Sequence, residues 1–204
     1  TYLASRNNED KILDHAWVFH ESAPRPYYDL FYMGKAPQNN IIHYASSDLQ
    51  NINYLGTALS SSEGTFYERQ WSPNIVEKHD GLYYMFFTAV EGDGFHRKER
   101  IGIATSTDLN VWTRPEINNC QNAIGNGCVY ECREPWSTVG QEDIDNSESC
   151  RHPFVIRDSK NQRWVMFATT QYNGVPDDPI SEVITVAYSN DLLNWEGAGY
   201  IDAT

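Results

Sequence analysis

Short runs of aromatic and β-branched residues alternate with turn residues along this chain, and they recur in one order three times. The first run of each repeat reads His15-Ala16-Trp17-Val18-Phe19, Ser72-Pro73-Asn74-Ile75-Val76 and His152-Pro153-Phe154-Val155-Ile156. The second reads Tyr28-Asp29-Leu30-Phe31-Tyr32, Tyr83-Tyr84-Met85-Phe86-Phe87 and Trp164-Val165-Met166-Phe167-Ala168. Asp80-Gly81 between two such runs is a hairpin signal, and Asp158-Ser159-Lys160-Asn161 fills the same place in the third repeat. Ile101 to Ser106 and Val183 to Ser189 alternate small and apolar residues, as interior strands do. Each repeat closes on a turn, Ser47-Asp48-Leu49, Thr107-Asp108-Leu109 or Asn190-Asp191-Leu192. No segment sustains a helical period. The pattern predicts an all-β fold, a β-propeller with about three blades present. Blade one spans about 12–60, blade two 68–116 and blade three 151–202, with an insert at 117–150.

In a propeller the first strand of each blade runs beside the central axis. The positions near His15, Ser72 and His152 therefore face one cavity. So do the loops at 34–40, 91–100 and 171–182. A site is expected there and not at the recurring aspartates Asp48, Asp108 and Asp191, since an aspartate opening a tight turn caps its own backbone. Trp112 and Trp195, four residues beyond the last two aspartates, read as packing between blades.

The length of 204 residues suits one well-buried domain. A net charge of −13 argues against nucleic-acid and anionic-membrane partners, which need a basic surface. No apolar run approaches the roughly 20 residues of a membrane-spanning helix. The chain starts at Thr1 with no visible signal peptide, so a processed or trimmed start is expected. Cys120, Cys128, Cys132 and Cys150 cluster in a polar segment whose spacings do not match zinc knuckles. An even count there predicts two disulfides and a secreted, oxidising setting, with the pairing left open. Glu131, beside Cys132, reads as structural.

Trp71-Ser72-Pro73-Asn74 followed by Asp80-Gly81-Leu82-Tyr83-Tyr84, the run Ile101 to Leu109 ending at Trp112, and Arg151-His152-Pro153-Phe154-Val155 together resemble the five-bladed propeller glycosidases. That superfamily includes the arabinanases, xylosidases, invertases and levansucrases of glycoside hydrolase families 43, 32, 62 and 68. The resemblance covers nearly the whole chain. It implies a glycosidase acting on a plant or algal polysaccharide or oligosaccharide, with no cofactor required. Two carboxyl groups would flank the scissile bond. In that superfamily a first-blade aspartate is base or nucleophile, a third-blade aspartate steadies the sugar, and a fourth-blade glutamate is the acid.

This sequence departs from that pattern. The first-blade position falls on His15, with Asp14 just before it. The third-blade position falls on His152, in Arg-His-Pro where the superfamily has Arg-Asp-Pro. A fourth blade with its glutamate has no counterpart here, so missing blades or a second copy are expected to complete the ring. Asp14, His15 and His152 are the candidate catalytic groups, since imidazole also serves as acid or base near neutral pH. Arg151, Trp17, Trp71, Ser72 and Asn74 are candidate sugar contacts. His96, Arg97, Lys98 and Arg100 form the only dense basic run, and His96 and Arg97 are candidates to hold a carboxylated or sulfated sugar. Asp177, Asp178 and Glu182 raise calcium as a bound ion, without a fixed ligand spacing. Activity is expected of a full-length parent, and the alternative is a carbohydrate-binding propeller without catalysis.

Overall fold

The structure, a computed structural model, describes residues 13–21, 27–34, 39–92, 97–135, 137, 149–172 and 182–201, with the backbone alone at 13, 14, 77 and 78. The described residues form twelve strands in three four-stranded antiparallel sheets. The first sheet holds β1 (Leu13–His20), β2 (Tyr27–Met33), β3 (Ile41–Ser46) and β4 (Asn53–Leu59). The second holds β5 (Arg69–His79), β6 (Leu82–Glu91), β7 (Lys98–Ser106) and β8 (Cys128–Tyr130). The third holds β9 (Cys150–Asp158), β10 (Arg163–Gln171), β11 (Glu182–Ser189) and β12 (Glu196–Ile201). In each sheet strand order follows chain order, the meander of a propeller blade. The all-β propeller reading of the sequence therefore stands.

The strand β8 comes from inside the 117–150 segment that the sequence pattern reads as an insert. At three residues it is too short to show a period. Tertiary constraints hold it: the Cys120–Cys128 disulfide ties its first residue, and Gly127 N–H donates to Ile117 O at 2.7 Å. The second disulfide joins Cys132 to Cys150, the first residue of β9, and so links blade two to blade three.

Two cores lie between the sheets rather than within one. Phe31, Phe87, Ala104, Leu109 and Trp112 belong to the cluster between the first and second sheets. Phe86, Ile103, Val155, Met166 and Leu192 belong to that between the second and third. The repeated tryptophans close these seams. Trp112 meets Phe31 edge-on with centroids 5.5 Å apart, and Trp195 meets Phe86 likewise at 5.8 Å. Gly102 in β7 is required by the same packing, because a Cβ there would run into the Phe87 ring. The outward faces of the end sheets carry exposed Trp17 and Phe19 on one side and Phe154, Ile156, Ile184 and Tyr200 on the other.

The Asp-Leu turns are built alike in all three blades. Ser46, Ser106 and Ser189 each accept from the N–H groups two and three residues on, while Asp48, Asp108 and Asp191 each accept from two backbone N–H groups. Leu49, Leu109 and Leu192 follow at φ 57°, 66° and 67°. A left-handed leucine is costly, and these hydrogen bonds offset it. The aspartates are turn caps, as their sequence context indicates.

Candidate functional site

The three first strands β1, β5 and β9 line a cavity of about 470 Å³. β1 contributes His15, Ala16 and Trp17. β5 contributes Ser72, Pro73, Asn74 and Ile75, and β9 contributes His152, Pro153 and Phe154. The candidates His15, Trp17, Ser72, Asn74 and His152 are thus brought together. Trp17 is 55% exposed, so its ring offers a stacking face.

Each first strand slips register at the cavity. Between Trp71 and Asn74 two residues, Ser72 and Pro73, stand opposite Phe87 alone. Between Arg151 and Phe154, His152 and Pro153 stand opposite Ala168. In β1 the ladder runs Leu13 to Met33 and then His15 to Tyr32, leaving Asp14 as the extra residue. These are β-bulges, which re-aim side chains beside sites. Counted along the ladders, Asp14 takes the place of Ser72 and His152. Counted by cavity lining, His15 takes it. Ser72 and His152 are both left-handed, at φ 49° and 54°, a conformation uncommon for either residue. The His152 N–H is held by Thr88 Oγ1 at 2.9 Å across the seam.

The Asn74 side-chain carbonyl also makes a contact between blades. Its Oδ1 accepts from Val155 N–H at 3.0 Å and joins blade two to blade three. Arg151 lies next to His152 with its side chain 17% exposed. Its guanidinium sits 3.4 Å from Glu99 Oε2 and pairs with Glu182 at the start of β11. Glu99 has no exposed side-chain surface. It also accepts from Ser149 Oγ at 3.1 Å and lies 2.9 Å from Arg97 Nε. Sequence reasoning missed Glu99, and the available signal was a carboxylate inside the one basic run.

The basic run divides in space. Arg97 keeps 35% of its side chain exposed and lies 5.9 Å from the Trp71 ring centroid. Arg100 is 1% exposed and points into blade two, where Glu91 holds it at 2.8 Å and Glu131 at 3.4 Å. It is a buried structural cation and no ligand contact. Glu131 also takes Gln121 N–H and Arg133 Nε, in keeping with a structural role. His96, Asp177 and Asp178 lie outside the described residues. Glu182 is engaged by Arg151. Among the described residues no group of three or more His, Cys, Asp or Glu is placed to hold a metal ion.

A central cavity lined by first strands is the binding place of a propeller. Residues 24–204 match the sequence profile described as Glycosyl hydrolases family 32 N-terminal domain, and the chain belongs to that family. No curated protein matches it in sequence. Solved structures resemble it in fold. Sucrose-6-phosphate hydrolase from Lactobacillus gasseri is 19% identical, with a TM-score of 0.66 over 95% of this chain and 35% of its own. Inulosucrase from Halalkalicoccus jeotgali bound to kestose is 15% identical, with a TM-score of 0.66 over 95% of this chain and 53% of its own. Fructan 1-exohydrolase IIa from Cichorium intybus is 14% identical, with a TM-score of 0.65 over 95% of this chain and 32% of its own. The chain thus spans between about a third and about a half of these relatives.

Proposed function

We propose that this chain supplies the sugar-binding cavity of a secreted glycoside hydrolase acting on a plant or algal oligosaccharide or polysaccharide, with sucrose-like fructosides the first substrates to try. The observation that carries this reading is the bulge repeated in all three first strands around one cavity, with Asp14 at the bulge of β1. The fructoside class rests on the named relatives, a sucrose-6-phosphate hydrolase, an inulosucrase bound to kestose and a fructan exohydrolase. The secreted setting rests on the two disulfides.

Glycoside hydrolysis needs an ionised carboxylate on one side of the scissile bond and a proton donor on the other. Asp14 is the base or nucleophile in this reading, with His15 beside it as the second candidate. Trp17 carries the sugar ring. Arg151, held by Glu99, orients ring hydroxyls through its remaining N–H groups. His152 positions the sugar and shuttles a proton, as imidazole does near neutral pH. The general acid is sought in the part of the relatives' length that this chain does not span. Further blades, or a second copy, would cover the exposed Phe19 and Ile156 farther along β1 and β9, leaving Trp17 and Phe154 to the cavity.

The test is sugar release from sucrose, fructo-oligosaccharides and a plant and algal glycan panel, measured on the complete ring with Asp14→Asn and His15→Ala in parallel. Turnover that falls at least a hundredfold in Asp14→Asn supports the assignment. Equal turnover in the parent and both variants sinks it.

A second reading, a binding propeller without catalysis, has its own observation. At the bulge of β9, His152 stands on the cavity wall where the resemblance implies an aspartate. Saturable sugar binding without product release supports it. Turnover gained in His152→Asp would show a lapsed catalytic site beneath the binding function.

A further inference from the structure

In blade two, next to the part of β5 that lines the cavity, two guanidinium groups lie against one indole. The Arg69 Cζ lies 5.7 Å from the Trp71 ring centroid and the Arg97 Cζ 5.9 Å. Trp71 directly precedes Ser72, which lines the cavity. Glu99 is shared between Arg97 and Arg151, and Arg151 also takes Glu182. Among the described residues no carboxylate pairs with Arg69. Its Nη2 is buried without a hydrogen-bond partner. Arg97 Nε lies 2.9 Å from Glu99, yet out of line for a hydrogen bond, so that N–H is also unmatched. Unmade hydrogen bonds of buried charged groups are costly unless a ligand completes them. In a chain of net charge −13, such a cationic place beside a cavity is not a general property of the surface.

We propose that Arg69 and Arg97 form a subsite for one oxyanion, a phosphate, sulfate or carboxylate carried by the sugar in the neighbouring cavity. Guanidinium groups recognise such anions through paired, charge-assisted hydrogen bonds. Trp71 holds both forks in place by cation–π contact. That the anion rides on a sugar rests on the cavity reading above; the anion subsite itself does not.

The experiment titrates inorganic phosphate and, separately, inorganic sulfate into the protein at constant ionic strength set with chloride. Tryptophan fluorescence and melting temperature are followed. Saturable binding is expected, weakened at least tenfold in both Arg69→Gln and Arg97→Gln, with the fluorescence response reduced in Trp71→Phe. Arg69→Lys and Arg97→Lys keep the charge and guard against misfolding. They are expected to bind between the parent and the Gln variants. Fructose 6-phosphate, a sulfated sugar and galacturonate then separate the three anions. Neutral sucrose should bind the parent and Arg69→Gln alike. If phosphate binds through these arginines while neutral sugar does not bind, the cavity reading fails and the anion subsite stands. The subsite is overturned if neither anion acts beyond chloride, or if the Gln variants bind as the parent does.

Discussion

The Asn74 side chain, placed on the cavity wall by sequence, accepts from Val155 N–H at 3.0 Å and fastens blade two to blade three. A half-buried asparagine that satisfies a neighbouring blade's backbone is a structural bracket first. Asn74→Ala leaves the Val155 donor unpaired beside the buried Val155 side chain. A loss of about 1–3 kcal/mol is expected. Urea unfolding should show a lowered midpoint at unchanged slope, and no change would remove the bracket role.

Glu99 is the hub that aims Arg151. Glu99→Gln leaves Arg97 and Arg151 without their shared charge while keeping a group of the same size for Ser149. Breaking a buried ion pair in this way costs about 3–5 kcal/mol. Sugar affinity is expected to fall with it. Calorimetric titration on the folded variant separates the two effects, because a purely structural Glu99 would leave the affinity of the folded fraction intact.

The turn caps contribute to stability against acid. Hydrogen bonds from the Asn51 and Gln50 N–H groups and the Asn51 side chain lower Asp48 to about 2. Burial works against Asp191, but the Asn194 and Leu193 N–H groups, the Asn194 side chain and Ser189 outweigh it and bring it to about 2 as well. Both bind a proton less readily folded than unfolded. Their contribution is present above the ordinary value of 3.8 and lost as pH falls toward about 2. A melting curve taken from pH 5 to pH 2 should drop, and Asp191→Asn should flatten the drop.

Glu134 acts in the opposite sense. Burial raises its carboxyl above the usual 4.5, only partly offset by the Tyr130 hydroxyl that donates to it, and its Oε2 has no partner. It lies against Gly197 of β12, where any Cβ would meet it. The unfolded chain releases this proton first. Stability therefore falls as pH rises from about 4.5 through the raised folded value. Glu134→Gln keeps the shape and should remove that decline, while Gly197→Ala should loosen the seam at every pH.

Both disulfides contribute through the unfolded chain. For the separations of 8 and 18 residues, loop-closure entropy gives ~2.5 and ~3 kcal/mol. Reduction should lower the melting temperature. Cys132→Ser with Cys150→Ser should lower it more than the Cys120–Cys128 pair of changes, since only the former frees blade three from blade two.

The strands, the threefold repeat and the Asp-Leu turns were legible in the sequence because each depends on neighbours a few residues away. Alternation made the strands. Ser46, Asp48 and Leu49 interact with one another and with Gln50 and Asn51, and the same spacing returned at Ser106 and Ser189. The cavity positions followed from the repeat. What only the tertiary structure decided depends on residues far apart in the chain. The slip between Leu13 and His15 is set by pairing with Met33 and Tyr32, and it is this slip that puts Asp14 level with Ser72 and His152. The cysteine pairing, the inward turn of Arg100 toward Glu91 and Glu131, and the burial of Glu99 between Arg97 and Arg151 were decided in the same way. A charged residue in a strand reads as solvated until a neighbouring blade is packed against it, because burial and partner choice are properties of the seam and not of the strand.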